Sequence, residues 1–211
     1  PPTNCSCINL PPIKHAVQTD GKIVTNVFKQ LTNNSYGTSI TRFNTTGSQD
    51  ASYNPIVLTT GAIFDSALQP DGKLIAAGIF SSANSTVQPN ITRFNADGTR
   101  DATFNTVVAG PVHEVLLQPD GKILIGGEFT TVNGTSRSFL ARLNSNGTLD
   151  TAFNAGMNGY VFALGLQADG RILVGGSFTM VSNIARNGIA RINGGDGSLD
   201  NTFNVGTGVE V

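Results

Sequence analysis

The chain has 211 residues, of which 39% are apolar and only 13% charged, with a formal net charge of −1. A pI near 6.1 and basic residues scattered along the chain leave no positive field for phosphates, so no nucleic-acid partner is expected. Charged residues at about half the usual quarter, with abundant Gly, Asn, Ser and Thr, point to turn-rich β structure rather than helices. No stretch reaches the roughly 18 apolar residues of a membrane span, so no membrane insertion is expected. The chain starts at Pro1 rather than Met, which is read as a signal peptide already removed or omitted.

Residues 1–12 contain four prolines and both cysteines and read as an extended leader, suited to lie along a sheet edge or to reach another molecule. Cys5 and Cys7 stand too close for an unstrained mutual bridge and are too few for a zinc site. They are either free thiols or candidates for a disulfide to another chain or to a missing part of this one.

From residue 13 onward the sequence repeats. The hairpin signal Gln-x-Asp-Gly-Lys/Arg falls at 18–22, 69–73, 118–122 and 167–171, which places Asp20, Asp71, Asp120 and Asp169 in four equivalent turns. An Arg-apolar-Asn landmark follows in each copy at Arg42, Arg93, Arg142 and Arg191. A third landmark, Asp-x-x-aromatic-Asn, begins at Asp50, Asp101, Asp150 and Asp200. The copies therefore run over roughly 13–62, 63–111, 112–160 and 161–208, and Val205 to Val211 aligns with the start of a fifth.

In the third copy, 112–118 reads as a strand, Pro119 to Gly121 as a tight turn and 122–130 as a second strand. The run Ile123, Leu124, Ile125 implies burial on both faces. A third strand spans 139–144, Asn146 with Gly147 forms a turn, and 150–154 is a short fourth strand or an ordered turn. The pairs Gly126-Gly127 and Gly175-Gly176, with Ala77-Gly78, mark close backbone approach in the buried strand. The first copy departs, with Asn26-Val27 in place of the glycines. Such units cannot bury two faces alone, so the fold class is all-β, with tandem four-stranded antiparallel blades of β-propeller type in an open, partial or assembled ring.

The pattern Gln-Pro-Asp-Gly-Lys-Ile-Leu-x-Gly-Gly-x-Phe, then Arg-Leu-Asn-x-x-Gly-x-Leu-Asp-x-x-Phe, resembles the delta-60 repeat, a family of bacterial β-propeller-type repeats. The third and fourth copies match best and the first loosely. The resemblance implies a large secreted or surface protein without assigned chemistry.

A catalytic set does not emerge. The hairpin aspartates support turns, and Asp50, Asp101, Asp150 and Asp200 recur once per copy, as expected of residues that cap amides or pair with the repeat arginine. The other acids, Asp65, Asp97, Glu114, Glu128, Asp196 and Glu210, form no sequence pair of the kind a glycosidase needs. His15 and His113 lie in first strands without a nucleophile motif and are read as packed or solvated. Asn95-x-Asp97-Gly98 faintly matches a calcium loop but reads as a turn, and no cofactor or metal is called for.

Trp is absent and Tyr is limited to Tyr36, Tyr53 and Tyr160, so an aromatic glycan platform is not evident. Asn4, Asn33, Asn44, Asn84, Asn90, Asn133 and Asn146 stand in Asn-x-Ser/Thr sequons and are candidate N-glycosylation sites. The leading expectation is an extracellular or cell-surface, non-enzymatic scaffold for adhesion or for assembly into a particle or filament. Its partners would be other copies of itself or other surface proteins. The alternative is a propeller that binds glycans or peptides, and a hydrolase or lyase is less favoured.

Overall fold

The computed structural model describes residues 15–30, 36–58, 61–83 and 86–206. Cys5, Cys7, Asn4, Asn33, Asn84, the leader and the tail from residue 207 lie outside them. Among the described residues every regular element is a β-strand.

The third copy shows the unit. Val112–Leu117, Ile123–Gly127 and Leu140–Leu143 form an antiparallel sheet in sequence order. The first two strands join through a turn in which Gln118 N–H donates to the Lys122 carbonyl and Lys122 N–H donates to Asp120 Oδ1. Gly61–Leu68, Leu74–Phe80 and Ile91–Phe94 repeat this plan in the second copy, and Val161–Leu166, Ile172–Gly176 and Ile189–Ile192 in the fourth. A small hairpin, Thr131–Val132 with Thr135–Ser136, pairs with Val108–Ala109 from the link out of the preceding copy.

The first copy's sheet has four strands, His15–Val17, Ile23–Gln30, Tyr36–Phe43 and Ile56–Val57, but the last lies beyond Asp50 to Asn54, which is a turn here too. The blade sheets of the other three copies have three strands each, and the fourth segment of the unit is an ordered turn. In it Thr103 N–H donates to Asp101 Oδ1 and Phe104 N–H to the Asp101 carbonyl. A backbone drawn round its own carboxylate in this way cannot extend a ladder.

The core is divided among the boundaries between copies. Among the described residues there are three buried clusters, one between each pair of consecutive blades. Strand alternation explains the division: Ile123 and Ile125 face the cluster shared with the second copy, while Leu124 faces the one shared with the fourth. The apolar run at 123–125 is buried on both faces because it has a neighbour on each. No sheet closes on itself among the described residues, and the four blades form an open propeller-type array.

Each of the last three copies has a bulge in its first strand. Pairing shifts between Ile63 and Asp65, between Val112 and Glu114, and between Val161 and Ala163, leaving Phe64, His113 and Phe162 as the extra residues. The second glycine of each pair makes this possible. A Cβ at Gly127 would stand 2.2 Å from the Pro111 carbonyl oxygen and 2.9 Å from Val112 Cα. The close approach at the second glycine thus comes from the start of the same blade, while a Cβ at Gly126 would stand 2.6 Å from Val161 Cγ1 of the next blade. In the first copy, with Asn26-Val27 at this place, His15–Val17 pairs in regular register and the next two strands run together for eight residues.

Gly127→Ala is expected to lower stability by about 2 kcal/mol or more, because backbone must move. Gly195→Ala, where a Cβ meets nothing within 4 Å, should stay within about 0.5 kcal/mol of the parent in urea denaturation.

Candidate functional site

The three landmarks of each copy meet at one aspartate. Asp101 Oδ2 accepts from Arg93 Nε at 2.9 Å and from Lys73 Nζ, the lysine of the hairpin signal, at 3.0 Å. Its Oδ1 accepts from the amide and hydroxyl of Thr103. Asp50 takes Arg42, Lys22 and Ser52 in the same way. Asp150 takes Arg142, Lys122 and the Ala152 amide. Asp200 takes Arg191, Arg171 and Thr202. Each arginine also lies over the aromatic ring of its own turn, at 4.6–4.9 Å from Tyr53, Phe104, Phe153 and Phe203.

These contacts keep the carboxyls ionised. The Ser52 hydroxyl and then Lys22 hold Asp50 well below the usual range. Burial pushes Asp101 up, but the Thr103 hydroxyl, Lys73 and the Thr103 amide together outweigh it. Lys122 lowers Asp150 most. Thr202, through hydroxyl and amide, with Arg191, brings Asp200 from 3.8 down to about 2.

The same arginines cross the boundary between copies. Arg42 Nη1 donates to the Ala96 carbonyl at 2.7 Å, Arg93 Nη1 to the Ser145 carbonyl at 2.5 Å, and Arg142 Nη1 to the Gly194 carbonyl. All three acceptors follow the asparagine of the next copy's Arg-apolar-Asn landmark. Asn54 N–H donates to the Asp97 carbonyl and Asn154 N–H to the Asp196 carbonyl in support. The turn glycine seals the contact: a Cβ at Gly147 would lie 2.8 Å from the Phe104 ring, and one at Gly98 2.1 Å from the Asn54 carbonyl oxygen.

Other sites named from the sequence are placed as follows. Asp20, Asp71, Asp120 and Asp169 each accept the amide two residues on. Asp97 and Asp196 turn their carboxylates onto Thr99 and Ser198. Among the described residues no three His, Cys, Asp or Glu side chains are grouped to hold a metal. The carboxamide nitrogens of Asn44, Asn90 and Asn133 donate to Ser48, Val108 and Gly147 respectively. Asn146 is exposed and uses its carboxamide oxygen, as an acceptor from Thr148.

A second cluster escaped the sequence reading. The bulge residues line up from blade to blade: Phe64 stacks on His113 at 5.2 Å, and Phe162 meets His113 edge-on at 5.3 Å. His113 Nε2 lies 2.8 Å from Glu128 Oε1. Tyr160 extends the row, 6.3 Å from Phe162 and 5.5 Å from Phe139.

Phe139 has φ +68, a left-handed conformation that disfavours a bulky side chain by about 1–2 kcal/mol. Its counterparts are Asn90 and Gly188, which make the same backbone bonds, to the strand residue at Phe80 or Phe178 and from the glycine at Gly78 or Gly176. Glu128 likewise replaces Ile79 and Ser177. Register comparison between copies was the available signal: these residues break the repeat, whereas Phe80, Phe129 and Phe178 keep it.

The family described as a domain of unknown function (DUF5122) beta-propeller matches the chain at residues 69–104, 118–153 and 167–203, which together make up slightly more than half of it. No curated protein matches the chain.

Arg93→Met is expected to lower stability by about 2–3 kcal/mol, since it leaves Asp101 with Lys73 as its one cation and deprives the Ser145 carbonyl of its donor. Lys73→Met, from a lysine about one-third exposed, should cost less than about 1 kcal/mol. Urea midpoints of the two variants check the order. Because the folded carboxyls bind protons less readily than unfolded ones, their stabilisation is complete above about pH 4. It should fade as pH falls from 3.8 through about 2, the range set by Asp200, in a urea series at decreasing pH.

Proposed function

The chain belongs to the DUF5122 β-propeller repeat family, the delta-60-type repeats, and from this we propose that it serves as a secreted or cell-surface scaffold whose blades stack between chains as they do within one. The observation that carries the reading is that, among the described residues, the first and fourth blades show the two uncovered halves of the contact made three times between them.

At the fourth blade, Arg191 has no acceptor in a following copy among the described residues, and its side chain is 18% exposed against 3% for Arg142. Val205 is 40% exposed, whereas the equivalent Thr106 and Ala155 are fully buried beneath the next blade. The middle strand alternates between buried and half-buried residues, where that of the third copy is buried throughout. At the first blade, Gly47 is exposed with nothing within 4 Å of a Cβ, while Gly98, Gly147 and Gly197 are buried against the preceding copy. The Thr45 carbonyl occupies the acceptor position filled by Ala96, Ser145 and Gly194 elsewhere.

Joining Arg191 and Phe203 of one chain to Thr45 and Gly47 of another reproduces the internal boundary. The contact is head-to-tail, so it closes into a ring or runs on as a filament. A location outside the cell is supported by the low charge and by the sequons.

Sedimentation velocity on the full chain is expected to show concentration-dependent association. Thr46→Arg, which brings a second cation toward the neighbour's Arg191, and Val205→Arg should each abolish it. A mixture of the two variants should give a discrete one-to-one dimer, since each retains one intact end. A chain that stays monomeric at all concentrations, or variants that associate like the parent, would refute the proposal.

A further inference from the structure

The aromatic row also runs from blade to blade, but it lies apart from the arginine contact and is not demanded by the repeat, and its chemistry goes beyond assembly. At every bulge the chain offers one side chain that the blade does not use, and in three consecutive blades these are Phe64, His113 and Phe162. Phe162 and Tyr160 are each 43% exposed, so ring surface is left open to solvent. His113 and Glu128, in mutual contact and partly exposed, supply donor and acceptor groups between the rings. Phe139 is held in a strained backbone conformation where the neighbouring copies place Asn and Gly, and its ring supports Tyr160. Phe139 also packs against the core between the third and fourth copies, which offsets part of that strain.

We propose that this row is a binding strip for a neutral oligosaccharide. The CH-rich face of a sugar ring packs on the exposed surface of Tyr160 and Phe162. Its hydroxyls donate to the Glu128 carboxylate and exchange hydrogen bonds with His113 and the Tyr160 phenol. The row contains no lysine or arginine, so it offers no counter-charge to a phosphorylated or sulfated ligand.

The test uses the full chain carrying Val205→Arg, so that failure of assembly and failure of binding are read separately. A panel of soluble neutral oligosaccharides, and a panel of unstructured peptides, are titrated against it by calorimetry. Binding to at least one oligosaccharide is expected, weakened tenfold or more by Tyr160→Ala, Phe162→Ala or Glu128→Gln with the melting temperature unchanged. Phe139→Asn removes the ring under Tyr160 and leaves Tyr160 and Phe162 in the chain: it should weaken binding severalfold. Absence of binding across the sugar panel, binding to peptides alone, or sugar binding indifferent to Tyr160→Ala and Phe162→Ala would each overturn the proposal.

Discussion

One carboxylate per copy holds the array together. Its Oδ2 lies between the hairpin cation and the repeat arginine, and its Oδ1 closes the turn that ends the blade. Three stretches of backbone about 30 residues apart at their extremes are thereby fixed to a single side chain. Arginine is needed because one oriented fork must serve several partners: Nε reaches the aspartate, Nη1 reaches the next copy, and the guanidinium plane lies on an aromatic ring. A lysine, as a point charge, meets only one of these demands.

The energetics of a stacked array follow from this placement. Apolar side chains are buried at boundaries between blades, so each cluster exists only when two copies meet. The arginine adds direction to that burial, because its donor is always on the earlier copy and its acceptor on the later one. A directional contact leaves unlike ends, and unlike ends can join. The half-covered strands of the first and fourth blades are the physical expression of this asymmetry.

The bulge has a different role. It is permitted by a glycine with no Cβ to obstruct the first strand, and it releases one side chain per blade from the demands of packing. The hairpin aspartates and the repeat arginines are the same in every copy, while the bulge alternates between Phe and His. Where function is carried by departures from a repeat, these are the positions at which departure disturbs the fold least.

The repeat period, the hairpin turns and the burial of residues 123–125 on both faces were legible in the sequence, since they depend on local turn chemistry and on side-chain alternation along one strand. The fourth segment was left open between strand and turn, because the choice depends on where the Asp101 carboxylate points. The glycine pair was legible as a close approach, though its partners were not: Gly127 meets the blade's own first strand and Gly126 meets Val161 of the next blade. The meeting of Lys73, Arg93 and Asp101, the passage of Arg93 to Ser145, and the alignment of Phe64, His113 and Phe162 were decided by tertiary structure alone. These contacts join residues from 8 to about 50 positions apart. No local propensity encodes them, and they exist only once one blade has been laid against the next.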